Sequence, residues 1–263
     1  MAIVNRVAVH HSVLDPRDPV ACVLAARAGG LDAVGLHVAA EPDAERAWGH
    51  GAGTPLLAAL VDVLLVSRVT TLDVGRIDLG EPTTDATDDP RRRTLDLGAR
   101  LGAQFVTVRA TEGVDTGDAL AGLTAQAASF RVRPVLVPAD GVPVREALAA
   151  VAGTRAGIVF DVRPSVADPE EVAELIVEAG DALGYVRVPA DELAVDMGEV
   201  TSLLATLPPW VPVVVGAPRT PRPVADPADP AAPARAGAFL AACRAGVDRL
   251  LVHPRALAAE RGE

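Results

Sequence analysis

Two adjacent histidines, His10 and His11, close the apolar run RVAVHH (6–11), and a third, His37, falls at the end of AVGLHV (33–38). Imidazole titrates near neutrality, so a histidine at the end of such a run is a candidate general acid or base. Asp161 ends GIVFD (157–161), where its carboxylate could take a proton itself or orient an imidazole. Arginines surround these groups: Arg109 ends FVTVR (105–109), Arg163 lies just past Asp161, Arg187 sits in GYVRV (184–188) and Arg219 follows VPVVV (211–215). A guanidinium is a planar fork matched to carboxylate or phosphate. The chemistry this predicts is proton transfer on a small anion, with Asp161 and His37 catalytic and His10, Arg109, Glu112, Arg163, Arg187 and Arg219 contacting the substrate. The alternative for each arginine is an ion pair with Glu112, Asp161 or Asp191, and for His37 a place in the packing of a rim.

The composition narrows the field. Among 263 residues, 24 are basic and 35 acidic, and every basic side chain is arginine. Schiff-base chemistry, pyridoxal phosphate and the lysine-bearing phosphate loop all need a primary amine, so all three are excluded. A net charge of −11 argues against a nucleic-acid surface, which works by releasing counterions to clustered positive charge. No Gly-x-Ser-x-Gly elbow, His-Glu-x-x-His helix or Cys-x-x-Cys pair is present. Cys22 and Cys243 stand alone in alanine-rich stretches and read as buried thiols of a reducing compartment. The N-terminal stretch lacks a signal-peptide pattern, and the most apolar run, 56–66, is short and broken by Asp62. A cytoplasmic protein is expected. Its expected partner is a small anionic or sugar-like molecule, with a second copy of the chain admitted, and with no nucleic acid or membrane.

The elements that would position these residues alternate along the chain. Strands are predicted at 6–11, 33–38, 63–69, 105–109, 133–137, 157–161, 184–188 and 211–215, all nearly continuously apolar, as strands covered on both faces should be. Arg68 then closes the third. Helices are predicted at 19–28, 55–61, 91–101, 119–129, 144–152, 169–178, 199–206 and 235–245. Thr54-Pro55 and Asp168-Pro169 read as N-caps followed by proline at the first helical position, and glycines follow several helix ends. Eight strand–helix pairs predict a single-domain α/β chain folded as a (β/α)8 TIM barrel over residues 1–263, with an open doubly wound sheet as the alternative. Gly49, Gly51 and Gly53 do not follow a strand directly, so the dinucleotide fingerprint is missing. Loops 80–93 and 217–234, the second with six prolines, would lie at the C-terminal mouth as solvated insertions or as a lid.

GGLDAVGL (29–36), GIVFDVRP (157–164), ALGYVRVPADE (182–192) and MGEVTSLLATL (197–207), in this order and spacing, resemble the xylose-isomerase-like TIM barrel superfamily. That group includes sugar and sugar-phosphate isomerases and epimerases, dehydratases and barrel-type abasic-site endonucleases. The resemblance implies divalent metal held by a glutamate ending strand five, an aspartate ending strand six, a histidine ending strand seven and a glutamate ending strand eight. Here strand five ends at Val137-Pro138, strand six keeps Asp161, strand seven presents Arg187 or Val188, and strand eight runs out at Gly216. With one implied ligand kept, no metal and no other cofactor is expected. A relocated metal would have to draw on His10, His11, His37, Glu112, Asp140 and Asp161. Adjacent strand residues face opposite ways, so only one of His10 and His11 is expected to face the interior, while His50 and His253 lie outside strand ends.

The function expected is therefore metal-independent isomerisation, epimerisation or dehydration of a small polyhydroxylated or carboxylated anion. The alternative is a catalytically inactive barrel that binds a ligand or a partner protein.

Overall fold

The computed structural model describes residues 5–13, 18–37, 55–80, 89–111, 113–139, 142–165, 167–194, 203–218 and 232–251. Eight strands form a closed barrel in chain order: β1 (Val7–Val9), β2 (Ala33–Leu36), β3 (Thr70–Asp78), β4 (Phe105–Arg109), β5 (Arg133–Val137), β6 (Gly157–Asp161), β7 (Leu183–Pro189) and β8 (Val213–Gly216). Every neighbouring pair is parallel, and β8 closes on β1. Strands such as VAV and VVVG are buried throughout because helices cover the outside and side chains fill the inside. The lumen is filled by Ala8, Ala33, Leu72, Phe105, Val135, Val159, Tyr185 and Val214, one from each strand. Small residues on β1 and β2 leave room for the two rings, Phe105 and Tyr185, which meet at 5.8 Å between centroids.

The helices are α1 (Pro19–Ala28), α2 (Pro55–Ser67), α3 (Pro90–Arg100), α4 (Thr116–Ala128), α5 (Val144–Val151), α6 (Pro169–Ala179), α7 (Ala190–Ala194) and α8 (Ala232–Leu251). Aspartates cap four of them, Asp18, Asp89, Asp115 and Asp168, each accepting a backbone N–H of the first turn. Cys22 and Cys243 are buried and outside any disulfide, as expected. Among the described residues no helix is long and apolar enough to cross a membrane.

One strand lies elsewhere than expected, while β1 and β2 are shorter than expected and β8 begins two residues later. Residues 63–67 belong to α2, which buries Leu57, Leu60 and Leu64 at helical spacing, and the third strand is Thr70–Asp78. Arg68 accordingly lies in the turn between them, with φ of 58°, before β3 begins and away from the mouth. Helix α2 runs further than predicted, α4 starts earlier, and residues 203–206 form turns where the sequence predicts the end of a helix. Thr54, the glycines at 49, 51 and 53, and residues 199–202, 81–88 and 219–231 lie outside the described residues.

Three bulges shape the lumen. Val34 pairs with Thr71 and Leu36 with Val74, so Gly35 alone faces Leu72 and Asp73. Val74 pairs with Val106 and Ile77 with Val108, so Thr107 alone faces Gly75 and Arg76. Ile158 pairs with Leu183 and Val159 with Tyr185, which leaves Gly184 as the extra residue on β7. A bulge re-aims the side chains next to it. A Cβ on residue 184 would come within 2.6 Å of Val135, so only glycine passes there.

Candidate functional site

Parallel strands deliver their C-terminal ends to one mouth. His10, His11 and His37 follow β1 and β2, Arg109 and Asp161 end β4 and β6, Arg187 lies near the end of β7, and Gly216 ends β8. The cross-strand register sets Asp161 directly beside Arg187. Their side chains join in a two-bond fork, Nε to Oδ1 at 2.5 Å and the terminal nitrogen Nη2 to Oδ2 at 2.7 Å. Burial works against the Arg187 charge, but the hydrogen bonds and charge of Asp161 prevail and hold its proton more firmly than usual. The Arg187 stem leans over Gly216, where a Cβ would meet its Cγ at 2.8 Å.

The three histidines form a contiguous cluster of rings, tilted between His10 and His11 and stacked between His11 and His37. The rings of His10 and His11 are 3.9 Å apart, and His11 lies on His37 at 4.6 Å with 22° between planes. The expectation that only one of His10 and His11 faces inward is thus corrected: His11 starts a 3₁₀ turn (His11–Val13), and strand alternation ends at Val9. His10 Nδ1 accepts the Ser12 backbone N–H and lies 2.5 Å from the Ser12 hydroxyl, which assigns the ring proton to Nε2. Burial first, then the charges of His11, Arg187 and His37, hold His10 well below the ordinary imidazole range. Burial, His37 and Arg187 push His11 down to about 3. Both rings are therefore uncharged at neutral pH. His11 Nδ1 is buried and makes no hydrogen bond among the described residues.

Below the mouth lies a pair that sequence reasoning missed. Asp73, 2% exposed, accepts the hydroxyl proton of the fully buried Tyr185 at 2.8 Å. Its Oδ1 fills the space left by Gly35, where a Cβ would come within 2.1 Å. Burial pushes the Asp73 carboxyl up to about 6, against the hydrogen bond from Tyr185 and the charge of Arg187. Burial, then the negative charge of Asp73, drives the Tyr185 hydroxyl well above its ordinary value. The signals available were an aspartate inside the strand TTLDVGRID, the chain's single tyrosine and a glycine in the facing strand.

Of the residues predicted to act, Asp161, Arg187, His10 and His37 come to the mouth. Asp161 is turned to Arg187 and not to the nearby Arg163, because β6 and β7 pair in register while Arg163 continues past the strand. Arg109 and Arg163 are exposed at the rim. Glu112, Asp140, Arg219, His50 and His253 lie outside the described residues. At the positions where the resemblance implies metal ligands, Val137, Arg187 and Gly216 offer no carboxylate or imidazole, and both Asp161 oxygens face a guanidinium. These residues do not fit that metal centre. Among the described residues no group of three or more His, Cys, Asp and Glu side chains could hold a metal ion.

No protein-family model matches this sequence, and no curated protein matches it. Solved structures do. D-allulose 3-epimerase from Methylomonas sp. superimposes with a TM-score of 0.65 at 15% identity, over 94% of this chain and 98% of that one. The 3-keto-D-glucoside 4-epimerase of E. coli gives 0.62 at 14%, over 92% and 99%. Endonuclease IV from Thermus thermophilus gives 0.53 at 17%, over 89% and 98%. Identities this low speak for architecture alone, and the architecture shared with these structures is the (β/α)8 TIM barrel.

Proposed function

We propose that this barrel is an isomerase or epimerase acting on a small polyhydroxylated anion, by acid/base proton transfer without a metal. The observation that carries this reading is the fork between Arg187 and Asp161 beside the ring cluster of His10, His11 and His37. Enolising a sugar beside its carbonyl requires a positive group for the oxygen that gains charge and a base for the carbon-bound proton. Arg187 supplies the first, a cation that stays charged at any working pH. His10 and His11, uncharged, offer hydrogen bonds to hydroxyl groups but are too weakly basic to work near neutrality. The proton-transfer role falls to His37, with Asp161 serving as counter-ion to Arg187 and no longer as an independent base. The fold shared with two sugar epimerases agrees with this substrate class.

Asp161 engaged in an ion pair also favours a second reading, a barrel that captures an anionic ligand without turning it over. One experiment separates the two. The protein is incubated in D2O with ketoses, including D-allulose, with ketose phosphates and with 2-hydroxy acids. Proton NMR follows loss of the hydrogen next to the carbonyl, and a thermal shift reports binding. Exchange with epimer formation, abolished in His37→Gln, is the expected outcome. A raised Tm with no exchange for any compound would favour the binding barrel.

A further inference from the structure

The proton-transfer reading leaves one buried carboxyl unused. Asp73 sits under the mouth with Oδ1 in the Gly35 cradle and Oδ2 on the Tyr185 hydroxyl. The bulge of two β3 residues against Gly35 aims it there. Among the described residues an ionised Asp73 is held by few things: the Tyr185 hydroxyl, a hydrogen bond from its own backbone and the field of Arg187, whose charge Asp161 already shares. Tyr185 and Arg187, two residues apart on the inward face of β7, link the floor to the mouth.

We propose that Asp73, held by Tyr185, is a positioning residue that couples anion capture to proton uptake: when an anion binds Arg187, one proton passes from solvent to the Asp73 carboxyl. This rests on Arg187 being the anion anchor of the reading above. An arriving anion adds negative charge over a poorly screened carboxylate, and a proton taken from water onto Asp73 restores the balance. Protonated Asp73 still accepts the Tyr185 hydroxyl proton through its other oxygen and gains a donor. The device selects for anions, since a neutral sugar brings no charge to compensate. A carboxyl already raised to about 6 needs only a modest further push to be protonated at neutral pH.

Among the described residues the groups around Asp73 are few. From β7 come Tyr185 and Arg187, from β2 the uncharged Gly35 with His37 beyond it, and from β1 His10 with His11 next to it. Asp161 on β6 faces Arg187, β4 brings Thr107 and, at its rim, Arg109, and β5 and β8 bring Val137 and Gly216. His10 and His11 are held uncharged well below neutrality, which separates their titration from that of Asp73.

Sulfate, which stays doubly charged throughout, is the probe. Titration calorimetry in two buffers of different ionisation enthalpy counts the protons taken up per sulfate bound. Near pH 6.5 the wild type should take up a substantial fraction of a proton. Its sulfate affinity should fall by up to about tenfold per pH unit above that, the limit for one linked proton. Asp73→Asn should bind sulfate with no uptake and a flat profile. Tyr185→Phe, which removes a hydrogen bond to the charged form, should move the uptake to higher pH. Uptake unchanged in Asp73→Asn, sulfate binding without uptake in the wild type, or no sulfate binding at all would each overturn the proposal. If Asp73→Asn does not fold, wild-type protein labelled with ¹³C-aspartate decides. A carboxyl titrating near 6 that moves up with saturating sulfate supports the coupling, and no aspartate titrating above about 5 refutes it. Sulfate binding needs no turnover, so failure of the deuterium-exchange test leaves this result standing, and the reverse also holds.

Discussion

Gly35 on β2 and Asp73 on β3 occupy one space: a Cβ on residue 35 would lie 2.1 Å from Asp73 Oδ1. The carboxylate is buried and bonded to Tyr185, so it cannot step aside without breaking that bond. Gly35→Ala should therefore destabilise the barrel by about 1–3 kcal/mol, as overpacking does. Urea unfolding of Gly35→Ala, Asp73→Ala and the double variant checks the cause. The double variant should lose less than the sum of the singles, because the added methyl then enters the space the carboxylate vacated. Strict additivity would mean that Asp73 is not the obstacle.

Asp73→Asn keeps the shape and an acceptor for Tyr185 but removes the ionisable group. The folded carboxyl titrates at about 6, above the ordinary carboxylate value of 3.8, so between those values the folded state binds more protons than the unfolded. Stability from this group is present at low pH and is lost as pH rises through the window. The variant escapes that loss. Its stability relative to wild type should climb by about 2.5 kcal/mol from pH 4 to pH 7, most of the roughly 3 kcal/mol that the full shift is worth at roughly 1.4 kcal/mol per pH unit. Unfolding free energies measured at several pH values check this, and a constant difference would mean that Asp73 titrates normally.

His11 titrates with the opposite sign. Its folded value of about 3 lies below the ordinary 6.5, so the folded state binds fewer protons in that window. Stability from this group is present above 6.5 and is lost as pH falls toward 3. His11→Gln should flatten the acid side of the stability profile, by about 2 kcal/mol or more between pH 6 and pH 4. An equally steep acid limb in the variant would place the acid lability elsewhere.

Much of the barrel could be read from the chain, and the reasons are local. Strands β4, β5 and β6 appear at their predicted residues because each is a short apolar run between turn signals and is buried on both faces. Strand β3 escaped for a physical reason. VDVLLVS looks like a strand by its β-branched content but lies on the helix that buries Leu60 and Leu64, whereas TTLDVGRID carries charges and two bulges that break any simple pattern. With β3 misplaced, Asp73 had no position and the Tyr185 partnership was invisible. Arg187 at the mouth was legible. Its pairing with Asp161 depends on the β6–β7 register, which no local pattern contains.

That pairing makes a final prediction about competition. If Arg187 is the anion anchor proposed above, Asp161 neutralises the guanidinium that an incoming anion engages, and ligand and Asp161 compete for the same fork. Arg187→Ala should weaken sulfate and sugar-phosphate binding by about tenfold to a hundredfold, the worth of a hydrogen bond to a charged group. Arg187→Lys keeps the charge without the fork and should recover only part of the loss. Asp161→Asn should tighten binding, since it removes the competing charge while leaving an amide that still holds Arg187 through its oxygen. Calorimetric affinities for the three variants check the order. If Asp161→Asn instead binds more weakly, then Asp161 orients Arg187 for the ligand and does not compete with it, and the fork stays intact when the anion arrives.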